Sequence, residues 1–111
     1  MLKNELKVLT TTTQTLVECV KGTNTTTQAR VVNVIAYNPT ADTTTYDLTL
    51  TDSVGTTVTL RKAKSLAQGA EDVISYTIFM KEGDKLKALA SAAAKINVLV
   101  NYEPYNGSPS V

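Results

Sequence analysis

Histidine is absent from this chain, and so is tryptophan. Without histidine the commonest general base and the commonest metal ligand are both missing. Neither a Ser-His-Asp nor a Cys-His nucleophilic site can be assembled. The single cysteine, Cys19, cannot close an internal disulfide, so nothing in the sequence calls for an oxidising compartment. A structural zinc site is excluded for want of ligands. No glycine-rich phosphate loop occurs. Charge of one sign is also missing: 11 basic residues stand against 10 acidic ones, for a net +1. They are mixed along the chain, so no basic face for nucleic acid is expected. The one short basic run, Arg61-Lys62-Ala63-Lys64, splits between the two faces of a strand. No stretch approaches the ~18 apolar residues of a membrane helix. The first ten residues, MLKNELKVLT, carry charges where a secretory signal would be apolar. The expectation is a protein made in a cytoplasm, with no membrane and no nucleic acid as partner.

Threonine is the commonest residue. It is β-branched and suits pleated, half-buried surface better than helix. Period-two hydrophobicity follows the same lead. Strands are expected over 15–20, 28–38, 44–51, 56–62, 71–80, 85–89 and 95–103, with residues 2–9 as an eighth, since Leu2, Leu6 and Val8 share parity. Gly55 is placed to supply the positive φ of the hairpin turn between 51 and 56. The segment KLKALASAAAK has high helix propensity but is framed by β-rich sequence. It reads as strand, small-residue corner, strand. Short connections and no helical pattern make the fold class all-β: an antiparallel two-sheet β-sandwich of seven to eight strands, jelly-roll-like or immunoglobulin-like. One domain is expected over residues 1–103, followed by an extended arm, 104–111, that begins at Pro104.

Carboxylates are the remaining chemistry. Asp42 and Asp47 lie near one loop, and Glu82 and Asp84 flank Gly83. Turn formation explains such residues better than catalysis or calcium binding. No catalytic, cofactor or metal residues are assigned, and no cofactor is expected. Cys19, inside the apolar run TLVECV, reads as a small buried hydrophobe. Two strands look apolar on both sides. In 28–38, Val31, Ile35 and Tyr37 lie opposite Val32, Val34 and Ala36. In 71–80, Val73 and Phe79 lie opposite Ile74, Tyr76, Ile78 and Met80. Such strands are either covered by their own chain or buried against another subunit. The expected interface residues are Val31, Ile35, Tyr37, Val73, Phe79 and Tyr105. In 46–60, Tyr46, Leu48, Leu50, Val58 and Leu60 share a side expected to face the core, and the alternating threonines of 47–59 are expected to form an outer wall facing solvent.

From residue 14 to 103 the chain resembles small β-sandwich virion proteins of tailed bacteriophages. The resemblance rests on turns and spacing: a strand ending in Asn38 (VVNVIAYN), a polar hairpin, and a leucine-plus-small step into Gly69 (SLAQGAE). A strand then ends at Gly83-Asp84 (MKEGDKL), followed by an alanine/serine corner and a last strand, INVLVNYE. It implies a non-enzymatic protein located in the virion and made in the host cytoplasm. It implies binding to other virion proteins (the major capsid protein or tail components), usually as a homo-oligomer. Capsid decoration is the role it favours. The alternative is a tail-fibre or adhesin module that binds host glycans through its tyrosines.

Overall fold

The computed structural model describes residues 2–20 and 26–106. Nine strands follow one another: β1 (Lys3–Val8), β2 (Gln14–Glu18), β3 (Thr26–Tyr37), β4 (Thr44–Thr51), β5 (Thr57–Leu66), β6 (Glu71–Ile74), β7 (Ile78–Met80), β8 (Lys85–Ala90) and β9 (Asn97–Asn106). They form two antiparallel sheets. The five-stranded sheet has the order β1-β9-β3-β6, with β7 also paired to β3; the four-stranded sheet has the order β2-β8-β4-β5.

Taking β6 and β7 as two halves of one broken strand, the ladders nest. β4 pairs β5, β3 pairs β6 and β7, β2 pairs β8, and β1 pairs β9. This is one long antiparallel ribbon. Rolling it up adds two further ladders, β3·β9 and β4·β8, and closes the two sheets over a common core. The result is a jelly roll. The immunoglobulin-like alternative is set aside by this strand order.

The core follows the strand period. Val98 and Val100 of β9, Leu86 and Ala88 of β8, and Tyr46 and Leu48 of β4 alternate inward and are buried. Cys19 is buried among them, as expected. Burial pushes its thiol up to about 11, helped by Asp84 and Glu18, which keeps it protonated.

Four expectations are corrected. Among the described residues the strands number nine, because the run 71–80 breaks at Ser75–Thr77 into β6 and β7. A bulge in the β3·β9 ladder between Val31 and Asn33 shifts the parity of β3. Val31 therefore turns inward with Val34 and Ala36 and is 0% exposed, which removes it from the expected interface. Val58, whose parity placed it in the core, is 54% exposed because β5 is an edge strand. The last strand runs through Pro104 to Asn106, past the expected start of the arm. Among the described residues the β1·β9 ladder stops at Lys3 opposite Tyr102, so the missing proline N–H at Pro104 interrupts no described β1 pair. Residues 107–111 lie outside the described residues.

Polar groups tie the sheets at one side. The Tyr46 hydroxyl on β4 donates to Asp72 Oδ2 on β6 at 2.5 Å, and Arg61 Nε on β5 donates to the same oxygen at 2.8 Å. Burial pushes the Asp72 carboxyl up, but the bonds from Arg61 and Tyr46 outweigh it and hold the group below its ordinary range. A depressed folded-state pKa stabilises the fold above the unfolded value, and that contribution is lost as pH falls. Acid titration below about pH 4 should therefore lower the melting temperature. Asp72→Asn should flatten part of that slope; an unchanged acid profile in the variant would remove this lock from the account.

Candidate functional site

The carboxylates do structural work. Asp42 pairs with Lys95 at 2.8 Å. Asp47 Oδ1 accepts the Ala63 N–H at 2.8 Å, capping a bulge where Ala63 takes a φ of 48°. Asp84 Oδ2 accepts the Lys81 N–H at 3.0 Å inside the β7–β8 turn. Among the described residues no His/Cys/Asp/Glu group could hold a metal ion.

The two outer faces differ in chemistry. On the four-stranded sheet, outward residues align as Thr15–Lys87–Thr49–Thr59 and Glu18–Lys85–Thr51–Thr57. The Thr51 and Thr57 hydroxyls hydrogen-bond across the hairpin at 3.0 Å. This is the expected threonine wall, crossed by Lys85 and Lys87 of β8.

The five-stranded sheet presents a different surface. Leu6 of β1 lies opposite Leu99 of β9, Leu99 opposite Ile35 of β3, and Ile35 opposite Val73 of β6. These four form an apolar stripe across the sheet. One neighbouring row is Val8–Asn97–Tyr37–Glu71; the other is Asn4–Asn101–Asn33, where Asn101 Nδ2 donates to Asn33 Oδ1 at 2.7 Å. Glu71 is the one charged side chain in these three rows. Further along lie Arg30 and Glu103, paired at 3.1 Å, beside Phe79, with Tyr105 donating to Glu103 at 2.6 Å.

β1 is the feature that sequence parity did not orient. Its apolar residues face out: Leu6 is 67% exposed, and Val8 is exposed too. Its inward side carries Lys3, Glu5 and Lys7, with Lys7 Nζ 3.5 Å from Glu5. An edge strand whose greasy side faces away from its own core leaves that side for something else.

The structure thus brings Ile35, Tyr37 and Val73 together on one face and sends Val31 to the core. Phe79, 75% exposed, and Tyr105 lie at the far end of the same face. Leu6, Val8 and Leu99 join the face and were not expected there. Phe79 and Tyr105 also line a shallow groove of about 320 Å³ with Gln28 and Lys81. The tyrosines do not make one platform. Tyr102 is half-buried against the core. Tyr37 and Tyr105 sit nine β3 positions apart by register, about 30 Å.

No protein-family model matches the chain, and no curated protein matches it. Its fold is similar to that of solved capsid structures. Two crystal structures of a pentameric capsid protein isolated from metagenomic phage sequences align over 93% of this chain and 62% of theirs. Their identities are 17% and 18%, and their TM-scores 0.51 and 0.50. A chain of the IBDV viral particle aligns over 97% of this chain and 36% of its own, at 12% identity and a TM-score of 0.51. This chain therefore spans less than two thirds of the length of those proteins. What it shares with them at such identities is the jelly-roll fold.

Proposed function

We propose that this chain is a non-enzymatic virion structural protein of the capsid decoration type. The outer face of its five-stranded sheet holds it to other virion proteins. The observation that carries this reading is the contrast between the two outer faces. One is threonine with charges, suited to water. The other is an apolar stripe flanked by amides and nearly free of charge, which is the composition of a protein interface core. Homo-oligomeric assembly on a particle is supported by the likeness of fold to a pentameric capsid protein. Ile35, Tyr37 and Val73 are the central contacts; Phe79 and Tyr105 are peripheral. A stable contact of this kind removes ~1,200–2,000 Å² from water, and repetition over a lattice multiplies the gain.

Ile35→Asp tests it. The side chain faces outward, so the variant should melt within a few degrees of the wild type. Its binding to empty capsids should fall by about a hundredfold or more, because the interface would bury an unpaired carboxylate. Binding unchanged by Ile35→Asp, or abolished by moderate salt, would overturn the reading. The groove beside Phe79 and Tyr105 favours a second reading, a tail-fibre or adhesin module for glycans. A sugar-dependent thermal shift that Tyr105→Ala removes would decide for it.

A further inference from the structure

We propose that β1 is a dimerisation edge, through which two copies of this chain pair antiparallel in a register centred on Leu6. The first observation is how the four sheet edges are finished. Each strand at a sheet edge offers unpaired N–H and C=O groups to any passing strand, and folded proteins usually blunt them. β6 and β7 are four and three residues long and separated by a break. β2 carries a bulge between Thr15 and Val17. β5 is bulged opposite Asp47, with Ala63 at positive φ and Lys62 and Lys64 exposed beside it. β1 has neither a break nor a bulge among the described residues: its ladder with β9 runs without a shift from Lys3 to Val8, and the charges it carries, Lys3, Glu5 and Lys7, alternate in sign.

Charge then selects both the partner and the register. Two copies that continue one sheet must keep like faces together, so opposed residue numbers must sum to an even value. Centring on Glu5 sets Glu5 against Glu5 and Lys3 against Lys7. Centring on Lys7 sets Lys7 against itself. Like charges directly opposite are unfavourable. Centring on Leu6 sets Glu5 against Lys7 of the second copy and Lys7 against its Glu5, with Leu6 on Leu6 and Asn4 facing Val8. Centring on Asn4 also avoids repulsion but engages fewer strand residues and leaves Val8 unpaired. The segment Asn4-Glu5-Leu6-Lys7-Val8 is thus complementary to itself, as a two-fold contact requires.

Pairing in this register joins the two apolar stripes end to end. The combined stripe runs from Val73 of one copy, through Ile35, Leu99 and Leu6, to Leu6, Leu99, Ile35 and Val73 of the other. The contact closes at two copies and leaves the stripe free to dock elsewhere. It does not rest on the virion reading. A chain that dimerises this way yet ignores capsids fails that reading and keeps this one.

A charge-swap series read by sedimentation velocity tests the edge. The wild type should dimerise. Glu5→Lys and Lys7→Glu should each weaken the dimer about tenfold or more, since each creates two repulsive pairs. The double variant Glu5→Lys/Lys7→Glu should restore it. Oxidised Leu6→Cys should give a disulfide-linked dimer on a non-reducing gel, because directly opposed residues lie within disulfide reach. Asn4→Cys should not. Leu6 is largely exposed, so the cysteine leaves the fold intact even where a charge variant misfolds. Crosslinking at position 6 supports the register whatever the size of the assembly. A monomeric wild type, a dimer indifferent to both charge reversals, or crosslinking at 4 and not at 6 would overturn it.

Discussion

Replacing Asn38 with alanine is expected to lower the melting temperature by roughly 10–20 °C. Asn38 is 0% exposed, yet every polar atom of its side chain is used. Its Nδ2 donates to the carbonyls of Asp42 at 2.7 Å and Leu66 at 2.8 Å. Its Oδ1 accepts the Thr40 N–H at 2.9 Å and the Thr40 hydroxyl at 2.7 Å. The backbone joins in: Asn38 N–H donates to the Ala70 carbonyl, and Gly69 N–H donates to the Asn38 carbonyl. The side chain thus fixes the loop after β3 and the end of β5, and the backbone of the same residue holds the turn into β6. Alanine removes four bonds and strands the inward Leu66 carbonyl. At about 1 kcal/mol per lost bond, with more for groups left unsatisfied, the cost is about 3–4 kcal/mol. Asn38→Asp should be at least as damaging, because a carboxylate would face two carbonyls. Thermal or urea unfolding with an unchanged m-value measures this directly. A loss below about 1 kcal/mol would mean that water replaces the amide.

Gly83→Ala is expected to cost about 3–5 kcal/mol, from two separable causes. Gly83 takes a φ of +92°, where an L side chain is strained. A Cβ there would also stand 2.3 Å from Cβ of Ser53, in the β4–β5 loop. The turn cannot easily retreat. Gly83 N–H donates to the Cys19 carbonyl at 2.8 Å, and Cys19 N–H donates to the Asp84 carbonyl at 3.0 Å. The causes part in a double-mutant cycle. Ser53→Gly alone should be nearly neutral on this exposed loop. Combined with Gly83→Ala it should recover most of the steric share, the Ser53 Cα still standing 3.1 Å from the new Cβ, and leave about 1–3 kcal/mol of backbone strain. If Ser53→Gly recovers nothing, the loops do not touch as described.

Much of this was legible in the sequence. Period two located the strands because each sheet has one buried face. Gly55 sits in its turn at a φ of 94°, as its position between two strands implied. Asn38 and Gly69, two of the turn positions in the pattern quoted from the sequence, are joined directly: the Gly69 N–H donates to the Asn38 carbonyl at 2.8 Å. The bulge at Val31–Asn33 was not legible. Val31 and Val32 both suit a strand, and only the partner ladder on β9 shows that the register shifts between Val31 and Asn33. A one-residue shift then flips the face, and Val31 went with it. The break at Ser75–Thr77 hides for a similar reason, since Ser and Thr are ordinary strand residues.

The candidate face was half legible. Ile35, Tyr37 and Val73 were found as apolar residues on the wrong side of their strands. Leu6 and Val8 were missed because parity shows that one side of β1 is apolar without showing which way it points. The signal was present in Lys3, Glu5 and Lys7: a strand whose other side is fully charged cannot lay both sides on a dry core. Leu99 was missed because its neighbours on β9 have the stronger inward pattern.

The nested ribbon also bears on synthesis by the ribosome. β1, β2 and β3 emerge first, but none of them pairs with another. Until residue 71 has left the exit tunnel, the hairpin of β4 and β5 is the one ladder the growing polypeptide can complete. β3 can pair with β6 and β7 once they emerge, but β1 and β2 must wait for β9 and β8, made last, before their backbone groups are matched. Closure across such long stretches is slow. During translation the nascent N-terminal half is therefore the part most exposed to misassembly and to holdase chaperones.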